Sequence, residues 1–159
     1  MIDQPFEVRR GNRATLLPQA EALLSGQRDL VANAANMSAL LYHALDDVNW
    51  VGFYFLRQER LIVGPFQGKP ACVEIPLGRG VCGTAAATRQ VQRVADVHAF
   101  PGHIACDIDS RSEIVLPLLD GGVLRGVLDV DSPSPGRFGE EDEAVLVEIA
   151  ELFVRSVDW

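Results

Sequence analysis

Hydrophobic residues in the N-terminal third of the chain recur at spacings of three and four, the period of an amphipathic helix. The longest such stretch runs from about Asp29 to Leu45, and its apolar positions are Leu30, Ala34, Met37, Leu41 and Ala44. Asp29 is a suitable N-cap for this helix. A shorter helix is predicted over Leu16–Leu24, where Ser25-Gly26 ends it. The pattern therefore predicts two helices before the first strand.

The middle of the chain changes to short runs rich in aromatic and β-branched residues, which are typical of strands. These runs are Asn49–Leu56, Arg60–Gly64, Cys72–Ile75, Gln92–Val94, Glu113–Leu119 and Val123–Val130. The last two are joined at Asp120-Gly121-Gly122, a strong hairpin signal that predicts antiparallel pairing. The glycine-rich stretch Leu77–Thr84 is interpreted as a turn that leads into a short helix over Thr84–Thr88. A final helix is expected to begin near Glu140.

This order of elements predicts an α+β fold, with one antiparallel sheet and the long helices packed on one of its faces. Residues 95–111 show no period and contain Pro101-Gly102, so we expect a long loop that covers the other face. A ligand pocket is then expected between the sheet and this loop. The length of 159 residues suits one domain, and we expect an N-terminal arm over residues 1–15 and a single domain over 16–159.

The charge balance argues against several classes of partner. The chain has 14 basic and 22 acidic residues, a net charge of −8, which disfavours nucleic acid and anionic membranes. No apolar run reaches the roughly 20 residues of a membrane-spanning helix. The N-terminus lacks the basic and then apolar order of a signal peptide. We therefore expect a cytoplasmic protein whose cysteines are kept reduced.

The three cysteines, Cys72, Cys82 and Cys106, are candidates for chemistry. The chain has no CxxC motif, so neither a thioredoxin-type motif nor a zinc ribbon fits. Cys82 falls in the glycine-rich turn at a helix start and Cys106 in the long loop, and we expect neither place to be core. A thiol near a helix N-terminus has a lowered pKa. The alternatives are small buried hydrophobic residues, or a zinc site with His103 despite the missing paired spacing.

Three acidic residues are predicted to meet at one end of the sheet. Asp129 and Asp131 flank Val130, and the strand period of two puts both side chains on one face. Pairing across the predicted hairpin brings Glu113 close to them. Carboxylates that lie so close repel one another, so at least one has a raised pKa. The cluster is a candidate acid catalyst or ammonium-binding site, and the alternative is a solvated strand end.

Two aromatic residues, Trp50 and Tyr54, share one face of the first predicted strand. They are either plain core or an aromatic wall that holds a small apolar or sulfur-bearing group. The histidines are less informative. His43 falls in a predicted helix, and His98 and His103 fall in the long loop, so we interpret all three as structural or exposed.

Six segments of the chain closely resemble the free methionine-R-sulfoxide reductases, a family of single GAF domains. The segments are Asn49–Tyr54, Gly64–Gly68, Gly80–Ala85, Phe100–Asp107, Ser110–Val115 and Gly126–Ser132. The resemblance extends over about residues 16–155 and includes all three cysteines and the three clustered acids. It implies a GAF-like fold and the thiol-dependent reduction of free L-methionine-(R)-S-oxide to methionine.

The resemblance also implies a role for each cysteine. Cys106 matches the catalytic cysteine, Cys72 the main resolving cysteine, and Cys82 a further cysteine that takes part in recycling. The Cys106 thiolate would attack the sulfoxide sulfur and become a sulfenic acid, with which a second thiol condenses to a disulfide. Because Cys72 is 34 positions away, we expect loop 95–111 to fold over the pocket and to order differently in the reduced and oxidised protein.

The same resemblance implies how substrate and partners bind. Glu113, Asp129 and Asp131 match the acids that hold the substrate and assist at the sulfoxide. Trp50 and Tyr54 match the aromatic residues around its methyl–sulfur end. The family uses no metal or organic cofactor, is reduced by thioredoxin, and tends to form homodimers. We expect carboxylates to bind the ammonium group and loop N–H groups to bind the α-carboxylate, neither of which a peptide residue offers. The alternative is a non-catalytic GAF module that senses a small molecule or redox state.

Overall fold

The computed structural model describes residues 5–104 and 106–159. The first four residues of the predicted arm, and Ala105 in the PGHIACD segment, lie outside the described residues. The strands are β1 Trp50–Arg57, β2 Arg60–Gly68, β3 Glu74–Pro76, β4 Gln92–Val94, β5 Ser112–Asp120 and β6 Val123–Ser132. The helices are α1 Leu16–Leu24, α2 Leu30–Ala44, α3 Gly80–Thr88 and α4 Glu140–Arg155.

All six strands pair antiparallel in one sheet, in the order β3-β2-β1-β6-β5-β4. The predicted α+β class is therefore confirmed. The central pair β1 and β6 brings the start of β1 beside the end of β6, since Trp50 pairs with Asp131 and Gly52 with Asp129. The hairpin pairing of β5 and β6 then places Glu113 opposite Asp131. The sheet thus brings residues from three strands together at one end.

The long helices α1, α2 and α4 cover one face of the sheet, as predicted. Their buried side chains form one apolar core with the residues of the central strands that point to this face, among them Met37, Leu41, Phe53, Ile114, Leu128, Ile149 and Phe153. Asp29 caps α2, because its side chain accepts a hydrogen bond from the Ala32 N–H. No helix in the described part of the chain is long and apolar enough to span a membrane.

The other face packs against α3, and here one prediction is wrong. The helix begins at Gly80 rather than Thr84, so Cys82 lies inside its first turn and is buried. The glycines serve close packing as well as a turn: a Cβ at Gly83 would lie 2.4 Å from the Pro76 carbonyl oxygen. A glycine that lets two backbones approach has the same sequence signature as a glycine in a loop.

The predicted strand Cys72–Ile75 is also placed differently. Strand β3 covers only Glu74–Pro76, and Cys72 lies in the loop that precedes it. The Cys72 carbonyl accepts a hydrogen bond from the Tyr54 hydroxyl, and its sulfur is bonded to Cys106. Cys72 is therefore held by interactions with Tyr54 and Cys106, and not by the strand pairing that the sequence predicted.

Candidate active site

The candidate site is a cavity between α3 and the sheet, on the face opposite the long helices. It encloses about 520 Å³ of space, the open solvent at its mouth included. Strands β1, β5 and β6 form its floor, α3 forms one wall, and the loop after β4 closes it. Of the residues singled out in the sequence, those that line it are Trp50, Tyr54, Cys82, Cys106, Glu113, Asp129 and Asp131. Cys72 is bonded to Cys106 beside it.

The three carboxyl groups meet on the cavity floor as the strand registers require. Glu113 and Asp129 are only 7% and 5% exposed, so the alternative of a solvated strand end is wrong for them. Two carboxyl oxygens, Asp129 Oδ1 and Asp131 Oδ1, are buried and have no hydrogen-bond partner among the described residues. Buried polar atoms in native proteins are almost always paired. These oxygens therefore offer free acceptors to a ligand that brings donors.

Burial changes the proton affinity of all three acids. It raises the pKa of Glu113 well above its ordinary value, and the nearby Asp129 and Asp131 raise it further. Burial likewise raises the pKa of Asp131, with added repulsion from Asp129 and Asp107. Burial raises the pKa of Asp129 to about 6, and hydrogen bonds from Glu113 and Cys82 limit the rise. The three acids titrate as a coupled cluster, which therefore keeps protons to a higher pH than separate, exposed carboxyl groups would.

Cys82 faces this acid cluster from α3. Its sulfur lies 3.7 Å from Glu113 Oε1 and donates a hydrogen bond to it. Burial raises the pKa of the thiol well above its ordinary value, and the negative charges of Asp129 and Glu113 raise it further. The expected lowering by the helix N-terminus is thus wrong, because desolvation and neighbouring carboxylates outweigh the helix dipole. Cys82 is a neutral donor at physiological pH.

The cavity contains one arrangement that could hold a metal ion. Cys82, Glu113 and Asp129 offer ligand atoms that all lie within 4.8 Å of one another, the one such group found in residues 5–104 and 106–159. It differs from the zinc site considered above. In that alternative Cys72 and Cys106 would both be ligands, but they are joined in a disulfide and offer no thiolate.

The disulfide joins Cys72 and Cys106 across 34 residues of sequence, with 5.4 Å between their Cα atoms. This is the pair that the family resemblance implies. Both cysteines are half-exposed, whereas Cys82, the third cysteine, is free and buried. A disulfide at the mouth of a cavity is open to attack by an external thiol.

The aromatic pair on β1 forms a wall of the cavity and also holds the loop that carries Cys72. Trp50 stacks on Tyr54 with 5.8 Å between ring centroids, and on Phe66 with 5.2 Å. The Trp50 indole N–H donates to the Lys69 carbonyl oxygen at 3.1 Å, and the Tyr54 hydroxyl donates to that of Cys72 at 3.1 Å. Burial raises the pKa of Tyr54, so the hydroxyl keeps its proton.

Among the further residues that line the cavity, four have polar side chains that the sequence did not single out for this role: Arg79, His103, Asp107 and Ser110. His103, interpreted above as structural or exposed, is half-buried there, and burial lowers its pKa, with a contribution from His98. Asn49 Nδ2 lies 3.4 Å from Asp107 Oδ2 and 3.2 Å from Ser110 Oγ. Proximity in sequence to Cys106 could have found His103, Asp107 and Ser110, and proximity to Cys82 could have found Arg79.

Comparison with known proteins identifies both the domain and close relatives. The GAF domain matches residues 20–157. The free methionine-R-sulfoxide reductase of Escherichia coli is 59% identical over 128 residues, which are 80% of this chain and 78% of that protein. The protein of the same name from Saccharomyces cerevisiae is 45% identical over 150 residues, 89% of this chain and 83% of that one.

A solved structure gives the same result. The crystal structure of free methionine-R-sulfoxide reductase from Neisseria meningitidis, in complex with its substrate, superposes with a TM-score of 0.91. It is 41% identical, and the match covers 96% of this chain and 95% of that one. The likeness therefore extends over almost the whole of both chains.

Proposed function

This chain belongs to the GAF-domain family and, within it, to the free methionine-R-sulfoxide reductases, and we propose that it reduces free L-methionine-(R)-S-oxide with Cys106 as nucleophile. One observation carries the assignment of the nucleophile. Cys106 lines the cavity that holds the acids and the aromatic wall, and it is also bonded to Cys72. A cysteine that both faces the substrate site and forms a disulfide suits a sulfoxide reductase.

The first step starts from the reduced enzyme. The Cys106 thiolate attacks the sulfoxide sulfur, and the oxygen passes to the cysteine, so that methionine leaves and Cys106 becomes a sulfenic acid. The sulfoxide oxygen needs a proton as its bond to sulfur breaks. Glu113 suits this role because burial and the nearby Asp129 and Asp131 raise its pKa, so it holds a proton more strongly than an ordinary carboxyl group.

The second step forms the disulfide. The Cys72 thiol attacks the Cys106 sulfenic acid, and water leaves with the oxygen that came from the substrate. The Cα separation of 5.4 Å supports Cys72 as the main resolving cysteine. Cys82 lies in the same cavity as a neutral thiol and is proposed as the further cysteine of recycling. We also propose that loop 95–111 orders differently once the disulfide is reduced.

Recognition of the free amino acid follows from the charges of the site. We propose that the unpaired oxygens of Asp129 and Asp131 receive the substrate ammonium group. Trp50 and Tyr54 would contact the methyl–sulfur end, since sulfur packs well against aromatic rings. Backbone N–H groups of the loop would hold the α-carboxylate. A methionine sulfoxide residue within a peptide has neither end charge, so it would bind poorly.

We propose thioredoxin as the reductant of the disulfide, the cytoplasm as the compartment, because recycling needs a reducing one, and a homodimer as the oligomeric state. Residues 16–159 would form the catalytic domain, and residues 1–15 an arm. Phe6 and Val8 of this arm pack against the apolar core between the long helices and the sheet. Sedimentation of the purified protein tests the dimer.

The activity is tested by NADPH consumption with thioredoxin and thioredoxin reductase. The substrates are free L-methionine-(R)-S-oxide, the S epimer and a blocked peptide form, and wild type is compared with Cys106→Ser. We expect turnover of the free R epimer alone and none with the variant. Binding of a ligand by well-folded wild type without turnover would instead assign the chain to the sensor class of GAF domains.

A further inference from the structure

Two exposed apolar side chains lie next to the two cysteines of the disulfide. Within the described part of the chain, the large hydrophobic side chains that are exposed are Val31, Val73, Ile108, Leu119 and Val123. Val73 is 64% exposed and directly follows Cys72, whereas Ile108 is 81% exposed and lies two residues after Cys106. Single exposed apolar residues are ordinary. Two such residues, one beside each cysteine of the same disulfide, are less ordinary and suggest a role.

These two side chains border any approach to the sulfur atoms. Consecutive Cα atoms are about 3.8 Å apart, so Val73 and Ile108 lie within roughly 8 Å of the cysteine next to them. Cys72 and Cys106 are only half-exposed, and the cavity lies beneath them. A protein that delivers a thiol to this bond from outside therefore brings its surface within reach of Val73 and Ile108.

The charged side chains around the two residues are paired with each other. Lys69 Nζ forms ion pairs with Asp109 and Asp107, which lie on either side of Ile108. Arg60 is paired with Glu74, the residue after Val73, at 2.8 Å. Because of these ion pairs, the surface around Val73 and Ile108 has no strong electrostatic potential of one sign, although the whole chain has a net charge of −8. Recognition at this place therefore rests on apolar contact.

We propose that Val73 and Ile108 form the docking patch for the protein dithiol of the thioredoxin class that reduces the Cys72–Cys106 disulfide. The proposal rests on the proposed function. One thiolate of the partner attacks one sulfur of the disulfide and releases the other as a thiolate, giving a mixed disulfide. The second thiol of the partner then displaces the enzyme cysteine. Two electrons move to the enzyme, which regains two thiols, and the partner becomes a disulfide.

The small size of the patch favours this partner over a second copy of the chain. Stable protein interfaces bury about 1,200–2,000 Å² in total, whereas transient redox encounters bury less. Two side chains form the contact of a brief encounter, which must dissociate after each exchange. They do not provide the core of a permanent dimer.

The test compares two reductants on the same variants. Val73→Ser and Ile108→Ser, singly and together, remove apolar surface without adding charge. Val31→Ser and Val123→Ser are matched controls, because they alter exposed valines, 62% and 54% exposed, that lie on α2 and β6 away from the disulfide. Turnover of free methionine-(R)-sulfoxide is measured with thioredoxin over a range of concentrations, and separately with dithiothreitol, which needs no docking surface.

For the double variant we expect the KM for thioredoxin to rise about tenfold, which corresponds to about 1.4 kcal/mol of binding free energy. Turnover with dithiothreitol and the KM for the sulfoxide should stay at the wild-type values, and the controls should behave as wild type. An unchanged KM for thioredoxin overturns the docking patch, and so does an equal loss with dithiothreitol. A change from dimer to monomer in the patch variants alone assigns the patch to a second copy and also overturns it. Wild type that is inactive even with dithiothreitol would contradict the proposed function itself.

Discussion

The Tyr54 hydroxyl donates a hydrogen bond to the backbone carbonyl of Cys72, with 3.1 Å between the two oxygen atoms. The neighbouring Trp50 indole N–H does the same for the carbonyl of Lys69 in the same loop. One strand thus presents the aromatic wall of the cavity and also anchors the segment that carries a redox cysteine. Changes to the wall are therefore expected to affect disulfide formation as well as substrate binding.

Removing the Tyr54 hydroxyl should slow the second chemical step. Tyr54→Phe keeps the ring but loses the hydrogen bond to Cys72, whose net value is about 1 kcal/mol, or roughly fivefold in a rate. We expect methionine release in a single turnover to change little, while disulfide formation becomes about fivefold slower. Rapid-quench sampling with thiol alkylation separates the two steps. Tyr42→Phe on α2 is the control, and equal slowing of both steps would contradict the positioning role.

The buried carboxyl of Asp129 should make stability depend on pH. The pKa of Asp129 is about 6 in the folded chain, above its ordinary value of 3.8. The folded protein therefore binds more protons than the unfolded chain between these values, and its free energy of unfolding falls as the pH rises through this window. The raised pKa values of Glu113 and Asp131 act in the same direction.

Asp129→Asn should therefore reduce this pH dependence, because one of the three contributing acids is lost, and it should abolish activity. At neutral pH the ionised Asp129 costs about 3 kcal/mol of folding free energy, from the difference between the two pKa values. Urea unfolding at about pH 4 and about pH 7 measures the effect. Asp46→Asn, at an exposed position, should leave the wild-type slope unchanged. A wild-type protein that becomes more stable as the pH rises through this range would refute the assignment.

Cys82 should be unreactive in the folded, oxidised protein. It is 4% exposed and its thiol is protonated, because burial raises its pKa. We expect a thiol reagent to detect almost no thiol in the native oxidised chain near neutral pH and one per chain after unfolding. Prior reduction should add the two thiols of Cys72 and Cys106. Rapid labelling of Cys82 in the native oxidised chain would show that the thiol is accessible after all.

Gly52 should be required for the aromatic wall. A Cβ at this position would lie 2.3 Å from the Phe66 Cβ and 2.7 Å from the Trp50 ring. Gly52→Ala is expected to displace the Trp50 ring, raise the KM for the sulfoxide and destabilise the fold by about 1–3 kcal/mol. Steady-state kinetics and urea unfolding measure the two effects. Gly139→Ala, where the nearest atom is 3.8 Å away, is the control for the kinetics and should leave the KM unchanged.

Much of the fold could be predicted from local patterns in the sequence. The spacing of apolar residues located α1 exactly and α2 to within one residue at each end, because helix periodicity is set within a few turns. The acid cluster was also predictable. Two residues that flank Val130 share a face, and the Gly121-Gly122 turn sets a hairpin register that brings Glu113 opposite Asp131.

The start of α3 and the burial of Cys82 were not predictable in this way. The glycines around Cys82 are typical of a turn, and only the approach of Gly83 to the Pro76 carbonyl shows that they allow close packing. The sequence also predicted a lowered pKa for Cys82, whereas the pKa is raised, because the burial of the thiol was not foreseen. A helix N-terminus can be recognised in the sequence, but the desolvation that outweighs it depends on what packs above the thiol.

The sequence by itself determined the elements, the strand faces and the motifs that identify the family, because each of these depends on residues close together in the chain. The tertiary structure alone decided the 5.4 Å separation of the Cys72 and Cys106 Cα atoms, the unpaired oxygens of Asp129 and Asp131, and the exposure of Ile108. The physical reason is that distance, desolvation and exposure depend on segments far apart in sequence. Their positions are set only when the sheet, the helices and the loop pack together.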